Sequence, residues 1–184
     1  ALLLQERGLG GRGEDLALRL ERWQRERGGR AEASRKLAER WAKAAERAAR
    51  ELGAERGPEV PLGVLLAEAF PDRIARARGS SGEEWLASGG RGYRLDPASS
   101  LVRSAWLVIG DAQGEAKGAR ITAALALGEA EVTRHLTHRI EARHALTWNA
   151  AEARVEARLE RRLEADLAPT ARLLVAESVL ASAP

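Results

Sequence analysis

The sequence predicts an α+β chain in which an N-terminal helical segment, residues 1–57, precedes a small β-barrel with an inserted helix, residues 58–184. Three observations predict it. Apolar residues recur at helical spacing up to about residue 52. The period then shifts toward two, in short apolar runs bounded by Gly, Ser, Pro and Asp. Between the two regions lies GAERGPEVP (53–61), whose composition suits a hinge.

In the first region, ALLLQER (1–7) reads as the end of a helix and GLGGRG (8–13) as the turn that breaks it. EDLALRLERWQRER (14–27) starts with acids and repeats Leu16, Leu20 and Trp23 on one face. Residues 31–52 form the most regular helical pattern. Leu37, Trp41, Ala44, Ala48 and Leu52 make an apolar stripe, and their places on the two helical stripes put Trp23 and Trp41 in the core. Lys36, Arg40, Lys43, Arg47 and Arg50 run along its flank. Pro61 fits the first turn of a short helix over 61–70, and Pro71 disfavours helix at Phe70.

From residue 72 the pattern alternates: Ala75 and Ala77 face one way, Ile74, Arg76 and Arg78 the other. Further strands are expected at 85–88, 93–95, 105–110, 119–125, 146–148, 153–163 and 171–177, although 150–166 also suits a helix. LGEAEVTRHL (127–136) reads as a helix lodged between strands. A five-stranded Greek-key barrel accommodates such a set.

Composition narrows the function. The chain has 184 residues, 45% of them hydrophobic, which argues for a packed core and against disorder. It has no cysteine, so disulfides, thiolate metal sites and cysteine nucleophiles are excluded. No stretch approaches a membrane span. There is no methionine, even at position 1, so a piece of a longer or processed protein is expected. Lysine occurs only at 36, 43 and 117. The other basic residues are arginines, and the positive excess lies within residues 1–57.

Five ordered blocks resemble the C-terminal region of the HrpB-type bacterial DEAH-box helicases. They are Phe70–Arg76 (FPDRIAR), Leu86–Gly92 (LASGGRG), Leu95–Pro97 (LDP), Trp106–Ile109 (WLVI) and Ala119–Ile121 (ARI), the last ahead of an acidic helix. ALLLQER is similar to the Ala-Leu-Leu-Ser-Glu-Arg-Asp of that family. The sequence departs from the family pattern at the extra glycine of GGRGY, at Thr122 and Asn149, and in the tail VAESVL. The resemblance implies a helical ratchet-like segment over 1–57 and an OB-like domain over 58–184. It implies a region that contacts single-stranded RNA or DNA and the helicase motor domains, in a cytoplasmic, monomeric protein with no membrane role.

The motor chemistry itself is missing from the sequence. There is no GxxxxGK[ST] loop and no Asp-Glu-x-His stretch. No cofactor is therefore expected in this chain, and ATP and magnesium belong only to motor domains it lacks. His135, His138 and His144 lack the companions a zinc site needs, so no metal is expected.

The candidate nucleic-acid contacts are Arg76, Arg78, Arg91 and Arg94 for phosphates, with Trp85 and Tyr93 beside the Gly/Arg loop as base-stacking candidates. Lys36, Arg40, Lys43 and Arg47 are a second candidate surface. Each has a plainer reading. The aromatics can pack a core, the helical stripe can be a solvated face, and Arg73 can pair with Asp72 at the helix-to-barrel junction. The alternative to nucleic-acid binding is a protein-interaction module that docks on the motor or on another partner.

Overall fold

The computed structural model describes residues 1–6, 8–54, 57–115, 117–151, 153–163 and 173–183, with backbone only for 117, 161 and 173–183. Four helices come first: α1 (Leu2–Gln5), α2 (Leu16–Arg25), α3 (Gly29–Glu51) and α4 (Leu62–Ala69). The α2 helix begins two residues later than its acidic start suggests, because Asp15 is its N-cap. The Asp15 carboxylate accepts the amides of Ala17 (2.9 Å) and Leu18 (3.3 Å). The same residue also ties the helix to the barrel, accepting the Ser100 hydroxyl at 2.7 Å, while the Glu14 carbonyl accepts the Ala124 amide at 2.7 Å.

Helices α2 and α3 are clamped at their bases. The Trp23 indole donates to Ser34 Oγ at 2.8 Å, and Arg35 donates to the Trp23 and Glu26 carbonyls. Buried residues of α3 are confined to its first two turns, at Ala31 and Ser34. Beyond them the helix projects into solvent. Trp41 is therefore a correction to the sequence reading: it is 41% exposed, and Leu52 at the end of the same stripe is 85% exposed. The stripe is amphipathic, but nothing in the described structure covers its distal half.

After α4, Pro71–Arg73 form a 3₁₀ turn that feeds the first strand. Arg73 secures this junction by a route the sequence did not indicate. Its Nη1 donates to the Gly110 carbonyl at 3.0 Å and its guanidinium lies over the Phe70 ring at 4.7 Å, rather than pairing with Asp72.

Five strands then close a barrel: β1 (Ile74–Arg78), β2 (Glu84–Ala87), β3 (Gly92–Arg94), β4 (Trp106–Gln113) and β5 (Lys117–Leu127). The order around it is β1-β2-β3-β5-β4, with β1 returning to β4. All pairs are antiparallel except β3–β5. This is a small α+β barrel of OB-like topology behind a helical segment. Ala75, Trp85, Ala87, Tyr93, Leu107, Ile109 and Ile121 belong to its interior cluster. The outer wall carries a second cluster, in which Ile74, Trp106, Val108 and Leu125 meet Leu16, Val64, Ala67 and Val132. Both faces of β1 are thus buried at its start, and its alternation becomes a solvent face only at Arg76 and Arg78.

Two tight turns have a steric requirement for glycine. Gly82, at φ +71°, would place a Cβ 2.0 Å from the Val102 carbonyl oxygen, and Gly10, at φ +70°, would place one 2.0 Å from that of Arg19.

The helix expected within the barrel lies after it. Between β3 and β4 there is only a 3₁₀ turn, Ser100–Arg103, while α5 (Glu129–His135) follows the closed barrel. The remaining strands form a separate antiparallel sheet: β6 (Ile140–Asn149), β7 (Arg154–Leu163) and β8 (Leu173–Ala183), in the order β6-β7-β8. Within the ambiguous run 150–166, residues Arg154–Leu163 form a strand, and 152 and 164–166 lie outside the described residues; the charges of the strand match at two-residue spacing. Glu156 takes hydrogen bonds from Arg154 and Arg158, and Glu160 takes one from Arg162 at 2.7 Å, all along one face of β7. Leu163 is buried in the cluster on the outer barrel wall, with Ile140 packed against it, so the base of the sheet joins the barrel. Of the run expected at 171–177, residues 171–172 lie outside the described residues and the rest falls in β8.

Candidate nucleic-acid interface

The register of the barrel assembles a row that is scattered in the sequence. Arg78 on β1 is opposite Glu84 on β2, Glu84 is opposite Arg94 on β3, and Arg94 is beside Arg120 on β5. Neighbouring strands lie about 4.8 Å apart, so the row runs roughly 14 Å across the sheet. Residues directly paired across strands share a face, and the row lies opposite Trp85 and Tyr93, on the outside of the barrel.

Arg78, Glu84 and Arg94 are exposed, and none forms an ion pair with a described residue. Arg120 is held by Asp96 at 3.1 Å. A second row lies one step along the strands, with Arg76 opposite Leu86 and Leu86 opposite Gly92. Between the rows is a concavity of about 520 Å³. Arg78, Glu84, Leu86 and Arg94 line it, together with Trp85, Tyr93 and three glycines, Gly90, Gly92 and Gly118.

The other predicted arginines are more constrained. The Arg76 guanidinium sits 5.3 Å from the Trp106 ring, which fixes it against the barrel wall. Arg91 donates from Nη2 to the Gly114 carbonyl at 3.1 Å and lies 5.3 Å from the Tyr93 ring. It therefore pins the β4–β5 hairpin to the β2–β3 turn, and its buried Nε has no described partner.

The two stacking candidates are corrected by the structure. Trp85 is 1% exposed and donates its indole N–H to the Gly82 carbonyl at 2.9 Å. Tyr93 is 5% exposed. Burial raises the pKa of its phenol above the ordinary value, and neighbouring Arg91 pulls it back. Both rings pack in the interior cluster of the barrel rather than standing free on its outer face. The alternation of a strand allows only one face outward, and the arginines occupy it. Lys36, Arg40, Lys43 and Arg47 are exposed on the projecting part of α3, a different element from the barrel rows.

Sequence reasoning missed Arg120 and Trp148. Arg120 joins the row only through the parallel β3–β5 pairing, which has no local signal. Trp148 is 59% exposed on β6 and is the most open of the described tryptophans. It shares its face with Val155, directly opposite, and with Leu146. Among the described residues no group of His, Asp and Glu is arranged to hold a metal ion, and no helix is long and apolar enough to cross a membrane. His138 instead lies 3.3 Å from Glu68, beside the Arg139–Glu68 pair.

No family model matches the chain, and no curated protein matches it significantly. Solved structures do. The crystal structure of the Escherichia coli DExH-box NTPase HrpB superposes with a TM-score of 0.64 at 26% identity, covering 98% of this chain and 20% of that one. In fold and sequence the chain resembles a part of HrpB. A second crystal structure, of the E. coli DEAH/RHA helicase HrpB, gives a TM-score of 0.61 with the same identity and coverage. The HrpB-like chain spans about a fifth of the length of these proteins, and the match is consistent with a C-terminal region. The five sequence blocks thus pointed to the protein family whose structures superpose on the chain.

Proposed function

We propose that the chain is an accessory region of an ATP-dependent helicase, which holds a single strand of RNA or DNA while motor domains outside this chain turn over ATP and magnesium. The observation that carries this reading is the exposed row Arg78–Glu84–Arg94–Arg120 on the outer face of β2–β3. In barrels of this topology that face and its adjoining loops receive oligonucleotides. Arg78 and Arg94 are the phosphate contacts, with Arg76 steadied behind them. Arg91 supports the loop, and Trp85 and Tyr93 support the barrel from inside. The ratchet-like segment 1–57 presents Lys36, Arg40, Lys43 and Arg47 either to the strand or to the motor domains. Similarity to HrpB supports association with such domains, and a cytoplasmic location goes with the same reading.

The test is fluorescence anisotropy of a short labelled single-stranded RNA, at two salt concentrations. We expect micromolar binding that weakens with salt, with a log–log slope near −2 for about three phosphate contacts. Arg78→Glu/Arg94→Glu should weaken it by tenfold or more, because two attractive contacts become repulsive. If that variant stays folded and binds like the wild type, the barrel face is not the contact. The second reading, a docking module, is favoured by the uncovered stripe of Trp41 and Leu52 on α3. It predicts that Lys43→Glu/Arg47→Glu disturbs association with a motor fragment while RNA binding is unchanged.

A further inference from the structure

We infer that the turn Gly8–Gly13, together with Arg19, forms a phosphate-binding cleft against the β4–β5 hairpin. The sequence marks the turn as a break between helices, and without a following Lys-Thr it has no nucleotide-motor role. In the structure it walls a cleft of about 430 Å³, with Gly8, Gly11, Arg12 and Gly13 on one side. The other side is the β4–β5 hairpin, with Asp111, Gln113 and Thr122. That volume admits a phosphate with a sugar attached.

Three features give the cleft its chemistry. The first is Arg19, which lines it and is only 7% exposed. Its Nε donates to the Leu9 carbonyl at 3.4 Å and its Nη2 to the Leu3 carbonyl at 2.7 Å. Those bonds fix the guanidinium but do not neutralise it, and no described carboxylate lies within ion-pair distance. A buried cation ordinarily has a counter-ion. Burial lowers the Arg19 pKa below the ordinary guanidinium value, as does Arg22, while Asp111 opposes the shift.

The second feature is the loop backbone. Gly8, Gly10, Gly11 and Gly13 all have positive φ, from +70° to +114°. Such turns direct successive amides toward one point and make anion-binding concavities. The Gly11 amide is used within the turn, by the Gly8 carbonyl, and that of Gly10 reaches Glu26 at 3.4 Å. The amides of Arg12 and Gly13 bond no described residue.

The third feature is added positive charge. Arg12 is exposed at the rim. The Arg22 guanidinium lies against the turn, 3.3 Å and 3.7 Å from where side chains at Gly11 and Gly13 would begin. Asp111 is the one acid on the lining, and its carboxylate is engaged by the Thr122 hydroxyl at 2.8 Å. Arg12 and Arg19 on the lining, with Arg22 against the turn, outnumber Asp111 and the Glu26 carboxylate that takes the Gly10 amide, and this balance favours an anion.

The phosphate could belong to a nucleic-acid backbone or to a small phosphorylated molecule, and one experiment separates them. Amide NMR spectra of the whole chain would be followed during titration with inorganic phosphate and, separately, with an eight-residue oligouridylate. Sodium chloride at equal ionic strength is the control. We expect the Arg12 and Gly13 amides to shift saturably with at least one probe, and Arg12→Ala, an exposed change, to weaken that binding about fivefold. Response to the oligonucleotide alone assigns a strand backbone. Response to phosphate identifies the site whatever becomes of the barrel row, and Arg78→Glu/Arg94→Glu should leave that titration unchanged. The cleft is overturned if neither probe moves these amides, if chloride moves them equally, or if Arg12→Ala changes nothing.

Discussion

Glu156 is the most heavily hydrogen-bonded carboxylate described. It accepts from Asn149 at 2.9 Å, from Arg154 and from Arg158. These bonds, with that from Asn149 the largest influence, hold its pKa at about 2 against an ordinary 4.5. The folded protein therefore keeps the carboxylate charged where the unfolded chain would protonate it. The resulting stabilisation is complete above pH 4.5 and is lost as pH falls toward 2. Glu156→Gln should lower the midpoint of thermal unfolding at pH 7 and flatten its decline between pH 4.5 and 2. Some slope should remain from Glu160, whose pKa Arg162 also lowers. Circular-dichroism melts across that range check both expectations. A wild-type slope retained in full by the variant would remove Glu156 as a source of acid sensitivity. Nothing in the sequence predicted this network. It depends on Asn149 and Glu156 meeting across a turn, whereas in sequence Asn149 stands out only as a departure from a family pattern.

At the scale of elements, sequence periodicity located strands and helices well but did not indicate what would cover them. The apolar stripe of α3 has the same pattern as that of α2, yet Trp23 is buried and Trp41 is not. The difference is tertiary: α2 packs on α1 and the base of α3, while among the described residues the distal turns of α3 have no facing element. A helix without packing relies on local propensity alone. Hydrogen exchange should accordingly be fast for amides of residues 40–51 and slow for those of 18–25. Equal protection in the two helices would mean that the distal half of α3 is held by something else. The same reasoning explains the tryptophans and arginines of the barrel. Alternation correctly separated Ala75 from Arg76 along β1, but proximity in sequence made Trp85 and Tyr93 look like companions of the arginines when the pleat sends them to the opposite side.

For the whole molecule, the order of the first five strands was legible because each is short, apolar and bounded by turn residues. The pairings that close the expected barrel were not, since they depend on β1 meeting β4 and β3 meeting β5 across long separations. The second sheet was missed for a similar reason: its strands looked like further members of the barrel. With respect to activity, the sequence has no GxxxxGK[ST] loop and no Asp-Glu-x-His stretch, so purified chain with ATP and magnesium is expected to release no phosphate above a protein-free control. Magnesium-dependent turnover by the purified chain would overturn the accessory reading.

The parallel β3–β5 pair has a consequence for biosynthesis. When the ribosome has made β3, one of its two neighbours does not yet exist, and about 30 more residues must emerge before it does. At ordinary elongation rates the β1–β2–β3 meander waits a few seconds as an open sheet, with Trp85 and Tyr93 facing water. A nascent chain stalled before β5 should accordingly be a ligand for chaperones that recognise apolar surface, and one released beyond Leu127 should not.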